Sequence, residues 1–298
     1  MTIRVASAPV SWGIYEFEGL QSHIGYPQVL DEIMETGHTG LELGPWGFLP
    51  TNAAKLRAEL AARGLQLLSA FVPVKLVDAA AHAEAERDAL RVGRLLAELD
   101  ARYVVLSDDN GKVEALVEQA GQRSGSLLDD EQWQIVANGV NRIAQALQAQ
   151  LGLSTVFHHH GAGYIETPAE VRALMQRTDP DLVGLCLDTG HWHFGGGDAV
   201  ACIQEYGQRV RYLHLKDCDA EVHQQVRQEN LDYFQAVAAG IFCELGQGCV
   251  DFPAVVAEME KVGYDGWAVV EQDVLIEDAA APKRISQANR DYLSSIGL

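Results

Sequence analysis

The strongest constraint in this chain is an alternation. Eight short apolar runs rich in strand formers stand at residues 4–8 (RVASA), 40–43 (GLEL), 65–72 (LQLLSAFV), 103–107 (YVVLS), 154–158 (STVFH), 184–188 (GLCLD), 210–215 (VRYLHL) and 267–271 (WAVVE). Between them lie longer segments with helical spacing, clearest at 26–36, 52–63, 79–99, 130–151, 167–177, 198–206 and 253–262, with a last one at about 282–293. Helix starts are marked by Thr51 or Asn52, by Thr167-Pro168 and by Asp251-Phe252-Pro253, and helix ends by glycine in ETGHTG, ARGLQ and KVGYDG. Strand and helix repeated eight times predict a parallel sheet closed on itself, an α/β fold of the (β/α)8 TIM-barrel type. An open doubly wound sheet would carry G-x-G-x-x-G after its first strand, and none is there. The 298 residues show no break in composition, so the expectation is a single TIM-barrel domain over 1–298. The longest irregular stretches are expected at 217–228 and in FCELGQGCVDF.

Composition excludes several roles. A net charge of -20 argues against a nucleic-acid partner and against an anionic membrane surface. No apolar run is long enough for a transmembrane helix, and the N-terminus lacks the apolar core of a signal peptide. The five cysteines, Cys186, Cys202, Cys218, Cys243 and Cys249, are odd in number and form no C-x-x-C, which fits a reducing cytoplasm better than a disulfide framework.

In a barrel of this kind the active site lies at the C-terminal ends of the strands. Here those ends are rich in ligand-type residues: Glu42 on the second run, His158-His159-His160 on the fifth, Asp188 and His191 on the sixth, His214, Lys216 and Asp217 on the seventh, Glu271 and Asp273 on the eighth. Strand side chains alternate faces, so His158 and His160 share one face and His159 takes the other. One inward residue from each of runs five to eight gives His158, Asp188, His214 and Glu271, a mixture of imidazole and carboxylate that suits Mn²⁺, Co²⁺, Fe²⁺ or Zn²⁺ better than Mg²⁺ or Ca²⁺. Each residue also has an ordinary reading. A lone buried histidine is usually a hydrogen-bonded core residue, Asp188 can cap a turn, and Lys216–Asp217 can be a surface pair. Their joint occurrence at four consecutive strand ends favours the metal.

These motifs resemble the xylose-isomerase-like barrels of the sugar isomerase, epimerase and endonuclease type. The nearest resemblance is to the inosose dehydratase family, carried by APVSWG, GLELGPWGFLP, VFHHHGAGYIET, LDTGH, HLKD and DFPAVVAEMEKVGYDGWAVVEQD in that order along the chain. The resemblance implies a divalent metal, Mn²⁺ or Co²⁺ first with Zn²⁺ or Fe²⁺ as alternatives, and a polyol-ketone substrate; glutathione enters as a cofactor by resemblance alone. It implies loss of water from a ring ketone, scyllo-inosose, in inositol breakdown, through a metal-stabilised enediolate. In many relatives the strand-five ligand is a glutamate. Here it is His158, which suits one-sided proton abstraction followed by elimination better than a symmetric two-base epimerisation. Glu271, His160, His191 and Lys216 are the expected catalytic residues; Glu42, Asp217, Trp12 and Trp46 the expected substrate contacts, with barrel-mouth packing the alternative for the two tryptophans. Metal-dependent ketose or inosose epimerisation or isomerisation is the competing activity, and a non-catalytic polyol-binding barrel a more distant one. The expected partners are a small polyol ketone and, left open, further copies of the chain in a homo-oligomer.

Overall fold

The computed structural model describes residues 3–15, 23–273 and 280–298. Its strands are β1 (Arg4–Ser7), β2 (Gly40–Glu42), β3 (Gln66–Val74), β4 (Tyr103–Asp108), β5 (Ser154–His158), β6 (Val183–Asp188), β7 (Val210–Leu215), β8 (Asp217–Cys218), β9 (Phe242–Cys243) and β10 (Trp267–Val270). Eight of them close a parallel barrel in the order β1-β10-β7-β6-β5-β4-β3-β2, while β8 and β9 form a small antiparallel pair beside it. The eight apolar runs are the eight barrel strands. β6 is buried at every position, as expected for a parallel strand covered on both faces.

The helices follow their capping signals. Asn52 accepts from the Lys55 amide at 2.9 Å to start Ala53–Ala61, and Thr167 forms a reciprocal box with Glu170 to start Pro168–Arg177. Asp198 and Asp251 cap Ala199–Tyr206 and Phe252–Lys261 by accepting the amides of Ala201 and Ala254. The expectation of an irregular stretch at 217–228 is overturned. Asp217–Cys218 is a strand, and Ala220–Glu229 is a helix whose first amides, Glu221 and Val222, donate to Asp219. Its inner side is only His223 and Val226, too short an apolar stripe to show as a period. A second helix, Tyr233–Ala238, follows and packs over the barrel mouth.

Three apolar clusters result among the described residues. The largest lies between strands and helices. Another gathers Phe194, Cys218, Val226, Tyr233 and Phe242. The remaining one fills the barrel with Ala6, Leu68, Val105, Val156, Cys186, Tyr212, Trp267 and Val269. Gly40 belongs to this floor: a Cβ there would stand 2.9 Å from the Trp267 ring. The plug closes one end of the barrel and leaves the other to the strand ends that carry the charged residues.

Candidate active site

Register places the ligand-type residues side by side. Asp188 on β6 pairs with His214 on β7, and His158 on β5 pairs with Cys186 two residues before Asp188. The Glu271 amide, just past β10, donates to the Leu215 carbonyl at 3.1 Å. One ligand atom from each of His158, Asp188, His214 and Glu271 therefore lies within 4.8 Å of the others. His214 Nδ1 is 3.2 Å from Glu271 Oε2 and 3.9 Å from Asp188 Oδ2, and His158 Nε2 is 3.5 Å from Asp188 Oδ2.

These atoms fit a cation. His214 Nδ1 is buried with no hydrogen-bond partner among the described residues, and Asp188 Oδ2 has none beyond its ion pair with Lys216 Nζ at 3.2 Å, a costly state for polar atoms unless something else meets them. The other atoms of the same side chains are engaged. Asp188 Oδ1 accepts from the His191 amide at 2.8 Å, and His214 Nε2 stands 3.0 Å from Glu42 Oε1, which also accepts from the Ser69 hydroxyl at 2.9 Å. Glu42 thus holds the far nitrogen of His214 and turns Nδ1 to the centre, the arrangement common for metal-binding imidazoles. His158 departs from it: its Nδ1 has no partner among the described residues, so the expected acceptor is missing.

Lys216 completes the cluster. Its Nζ is 3.2 Å from Asp188, 3.3 Å from Glu271, 3.0 Å from Asp273 and 3.1 Å from His191 Nε2. Burial would push the three carboxyls up. For Asp188, Lys216 and then His191 hold it well below the usual range; for Glu271, His214 and then Lys216 bring it to about 2; for Asp273, Lys216 and then His191 hold it low. All three are carboxylates at neutral pH.

The three histidines of β5 separate as alternation requires. His158 faces the cluster. His159 points away, accepts from the Asp188 amide at 3.4 Å and meets Trp192 edge-on at 5.0 Å between ring centres. His160 lines the cavity, its ring 3.9 Å from that of His191, with Nδ1 2.7 Å from the Gly161 carbonyl. A carbonyl only accepts, so Nδ1 carries the proton and Nε2 keeps its lone pair. The turn after His160 is braced from below: Asp108 accepts from the Tyr164 amide, Glu166 from the Gly121 and Ala162 amides, and Arg123 pairs with Glu170 at 2.9 Å.

Of the expected substrate contacts, only Glu42 lines the cavity. Trp12 is fully buried and donates from Nε1 to Glu32 at 2.7 Å, because the turn Pro9–Trp12 swings the indole into the helix layer. Trp46 is 39% exposed and stacks under Arg91; its neighbours Gly44 and Pro45 reach the cavity instead. Asp217, at the start of β8, is buried against the 246–250 loop and gathers the amides of Gly246, Gly248 and Val250, along with that of Cys218. The walls that sequence reasoning missed are apolar: Ile14, Phe71, Pro73, Tyr233, Phe234 and Val237. The signal for the last three was Asp232-x-x-Gln235, a capping box that starts their helix.

The barrel with an imidazole–carboxylate cluster at its strand ends defines a class: the chain belongs to the xylose isomerase-like TIM barrel family, whose model matches residues 30–295. Within that class it is similar to the inosose dehydratase of Geobacillus kaustophilus (strain HTA426), 32% identical with 98% of this chain and 94% of that protein covered. It is also similar to the rhizopine catabolism protein MocC of Rhizobium meliloti, 34% identical over 92% of this chain and 82% of that protein. Among solved structures, the IOLI protein with a bound zinc atom has the same fold, at a TM-score of 0.73 and 14% identity, covering 99% of this chain and 98% of that one.

Proposed function

We propose that this chain is a divalent-metal-dependent hydro-lyase that removes water from a cyclic polyol ketone of the inosose type. The observation that carries the reading is the convergence of four ligand-type atoms from the ends of β5, β6, β7 and β10, with His214 Nδ1 left without a hydrogen-bond partner among the described residues. The relatives named inosose dehydratase supply the substrate class. A divalent ion held by His158, Asp188, His214 and Glu271 would polarise the ketone oxygen and raise the acidity of the neighbouring C–H.

The chain's own residues account for the rest. His160 presents a free Nε2 lone pair to the cavity and takes the proton next to the carbonyl. Lys216 brings a buried positive charge to the point where oxyanion charge develops. His191, within 3.1 Å of Lys216 Nζ and 3.4 Å of Asp273, passes a proton toward the departing hydroxyl. A ring polyol with equatorial hydroxyls has a polar rim and two apolar C–H faces. The cavity matches it with a polar floor and the apolar side chains of Phe71, Tyr233 and Val237. Among the described residues no helix is long and apolar enough to cross a membrane, and the five cysteines are free; we place the enzyme in a reducing cytoplasm.

The test is direct. Protein loaded with Mn²⁺ or Co²⁺ is incubated with scyllo-inosose and the product weighed by mass spectrometry. Loss of one water supports dehydration. An unchanged mass with altered stereochemistry selects epimerisation and overturns the reading.

A further inference from the structure

Away from the metal cluster, three of the five cysteines meet at one place. The pair β8–β9 sets Cys218 opposite Phe242 and beside Cys243, and the loop folded around Asp217 brings Cys249 back onto Cys218. The Cys249 amide donates to the Cys218 carbonyl at 3.0 Å, and Cys249 Sγ lies 2.8 Å from the same oxygen. Such backbone pairing puts two Cα atoms about 5–6 Å apart, within the reach of a disulfide. Cys249 is exposed, Cys218 is buried, and the His193 imidazole is in hydrogen-bonding reach of Cys249. An accessible thiol with a histidine on one side and a second thiol on the other is the arrangement of a reactive sulfur with a resolving partner.

We propose that Cys249 is a nucleophilic thiol and an oxidative modification site, and that Cys218 closes a disulfide onto it. The oxidant class is a small hydroperoxide. Cys249 sulfur attacks one peroxide oxygen, the O–O bond breaks, and the other oxygen leaves as an alcohol or water after taking a proton. Cys249 is then a sulfenic acid. Cys218 sulfur attacks it, the S–O bond breaks, and the hydroxyl leaves as water with the Cys218 proton. The two thiols have lost two electrons and the peroxide has gained them.

The surroundings favour the thiolate. Cys218, donating to Cys249, and His193 bring the Cys249 thiol down to about 5, against burial and the Asp217 carboxylate. The Cys218 carbonyl also opposes the charge, since it prefers a protonated sulfur, and Cys243 adds a further thiol nearby. His193 in turn is raised, first by Cys249 and also by Asp198 and Asp217, against its own partial burial. The oxidation also reaches the cavity. Cys218 shares a cluster with Phe242, and Phe242 packs 5.2 Å from Lys216 Nζ and 4.8 Å from the His191 ring. Turning Cys218 sulfur out of that cluster disturbs the packing behind both residues.

The experiment uses the full-length protein. Iodoacetamide labelling is followed by peptide mass spectrometry from pH 5 to pH 9, and separate samples are treated with hydrogen peroxide and digested without reductant. At pH 7, Cys249 should label at least about tenfold faster than any other cysteine, with a titration midpoint well below the ~8.5 of an ordinary thiol. In His193→Gln that midpoint should move up. Peroxide should yield a Cys218–Cys249 cross-link that dithiothreitol reverses; in Cys218→Ser, a sulfenic acid at Cys249 should persist and be trapped by dimedone. A Cys249 labelling rate that still climbs through pH 8.5, equally in wild type and His193→Gln, overturns the reactive thiol. A peroxide cross-link to Cys243, or none, overturns the role given to Cys218.

Discussion

The inside of this barrel has two layers, built by the same strands on the same face, two residues apart. The lower layer holds Val156, Cys186, Tyr212 and Val269, all buried and packed together. One strand repeat further, the same four strands present His158, Asp188, His214 and Glu271. The lower layer has satisfied itself: its one hydroxyl, on Tyr212, lies 2.9 Å from Ser69 Oγ. The upper layer has not: among the described residues His214 Nδ1 has no hydrogen bond, and Asp188 Oδ2 has only its ion pair with Lys216. Burial is equal, so burial alone does not separate a packing residue from a working one. The separation comes from whether the polar atoms find partners within the protein. Where four strands each bring one ligand-type atom to a common point, the geometry is the one that a cation site needs.

The contrast is broken most severely at Asp188. Asp188→Asn keeps the shape and still caps the helix that follows, but removes the charge. Metal affinity should fall by at least about 100-fold and turnover to background, read by calorimetric titration and product assay. Full occupancy in that variant would remove Asp188 from the upper layer. His160→Ala should leave metal content unchanged and reduce turnover by about 10²–10⁴-fold, the usual worth of one positioned proton-transfer group. Metal lost from His160→Ala would move the ligand boundary up the strand. Glu42→Gln tests the bridge between layers, since Glu42 holds His214 above and Ser69, and through it Tyr212, below. Metal affinity should drop by about 10–100-fold while the fold stays intact. An unchanged affinity would show that His214 is oriented by packing alone. Tyr212→Phe, in the lower layer, should cost about 1 kcal/mol in denaturant unfolding and leave metal binding within error. A metal defect there would mean that the two layers are not separable.

Much of this arrangement was legible beforehand because two periods coincide. A strand alternates every second residue, and a barrel puts its chemistry at strand ends, so His158 and His160 could be assigned inward and His159 outward from the letters alone. Lys216 was legible for the same reason, as the next inward position after His214. Trp12 and Trp46 were not. They follow strands rather than belong to them, and a short turn sets their direction: Trp12 follows the 3-10 turn Pro9–Trp12 into the helix layer. Asp217 was not legible for a different reason: besides the adjacent Cys218 amide, its carboxylate is taken up by three amides of a loop about thirty residues away, contacts with no local signal. Tyr233 and Val237 close the cavity from a helix of six residues, too short to show a period.

Asp188 gives one carboxylate two tasks, with Oδ1 receiving the His191 amide at the start of Thr189–Phe194 and Oδ2 facing the centre. A cation held at one oxygen would take electron density from the other, so the first turn of that helix would act as a built-in gauge of site loading. The His191 amide proton should exchange faster with solvent deuterium, and shift upfield, as the centre fills. The same sharing freezes the spacing of D-T-G-H: one residue inserted between Asp188 and His191 would strip the helix of its cap and carry the His191 ring away from Lys216 in a single stroke.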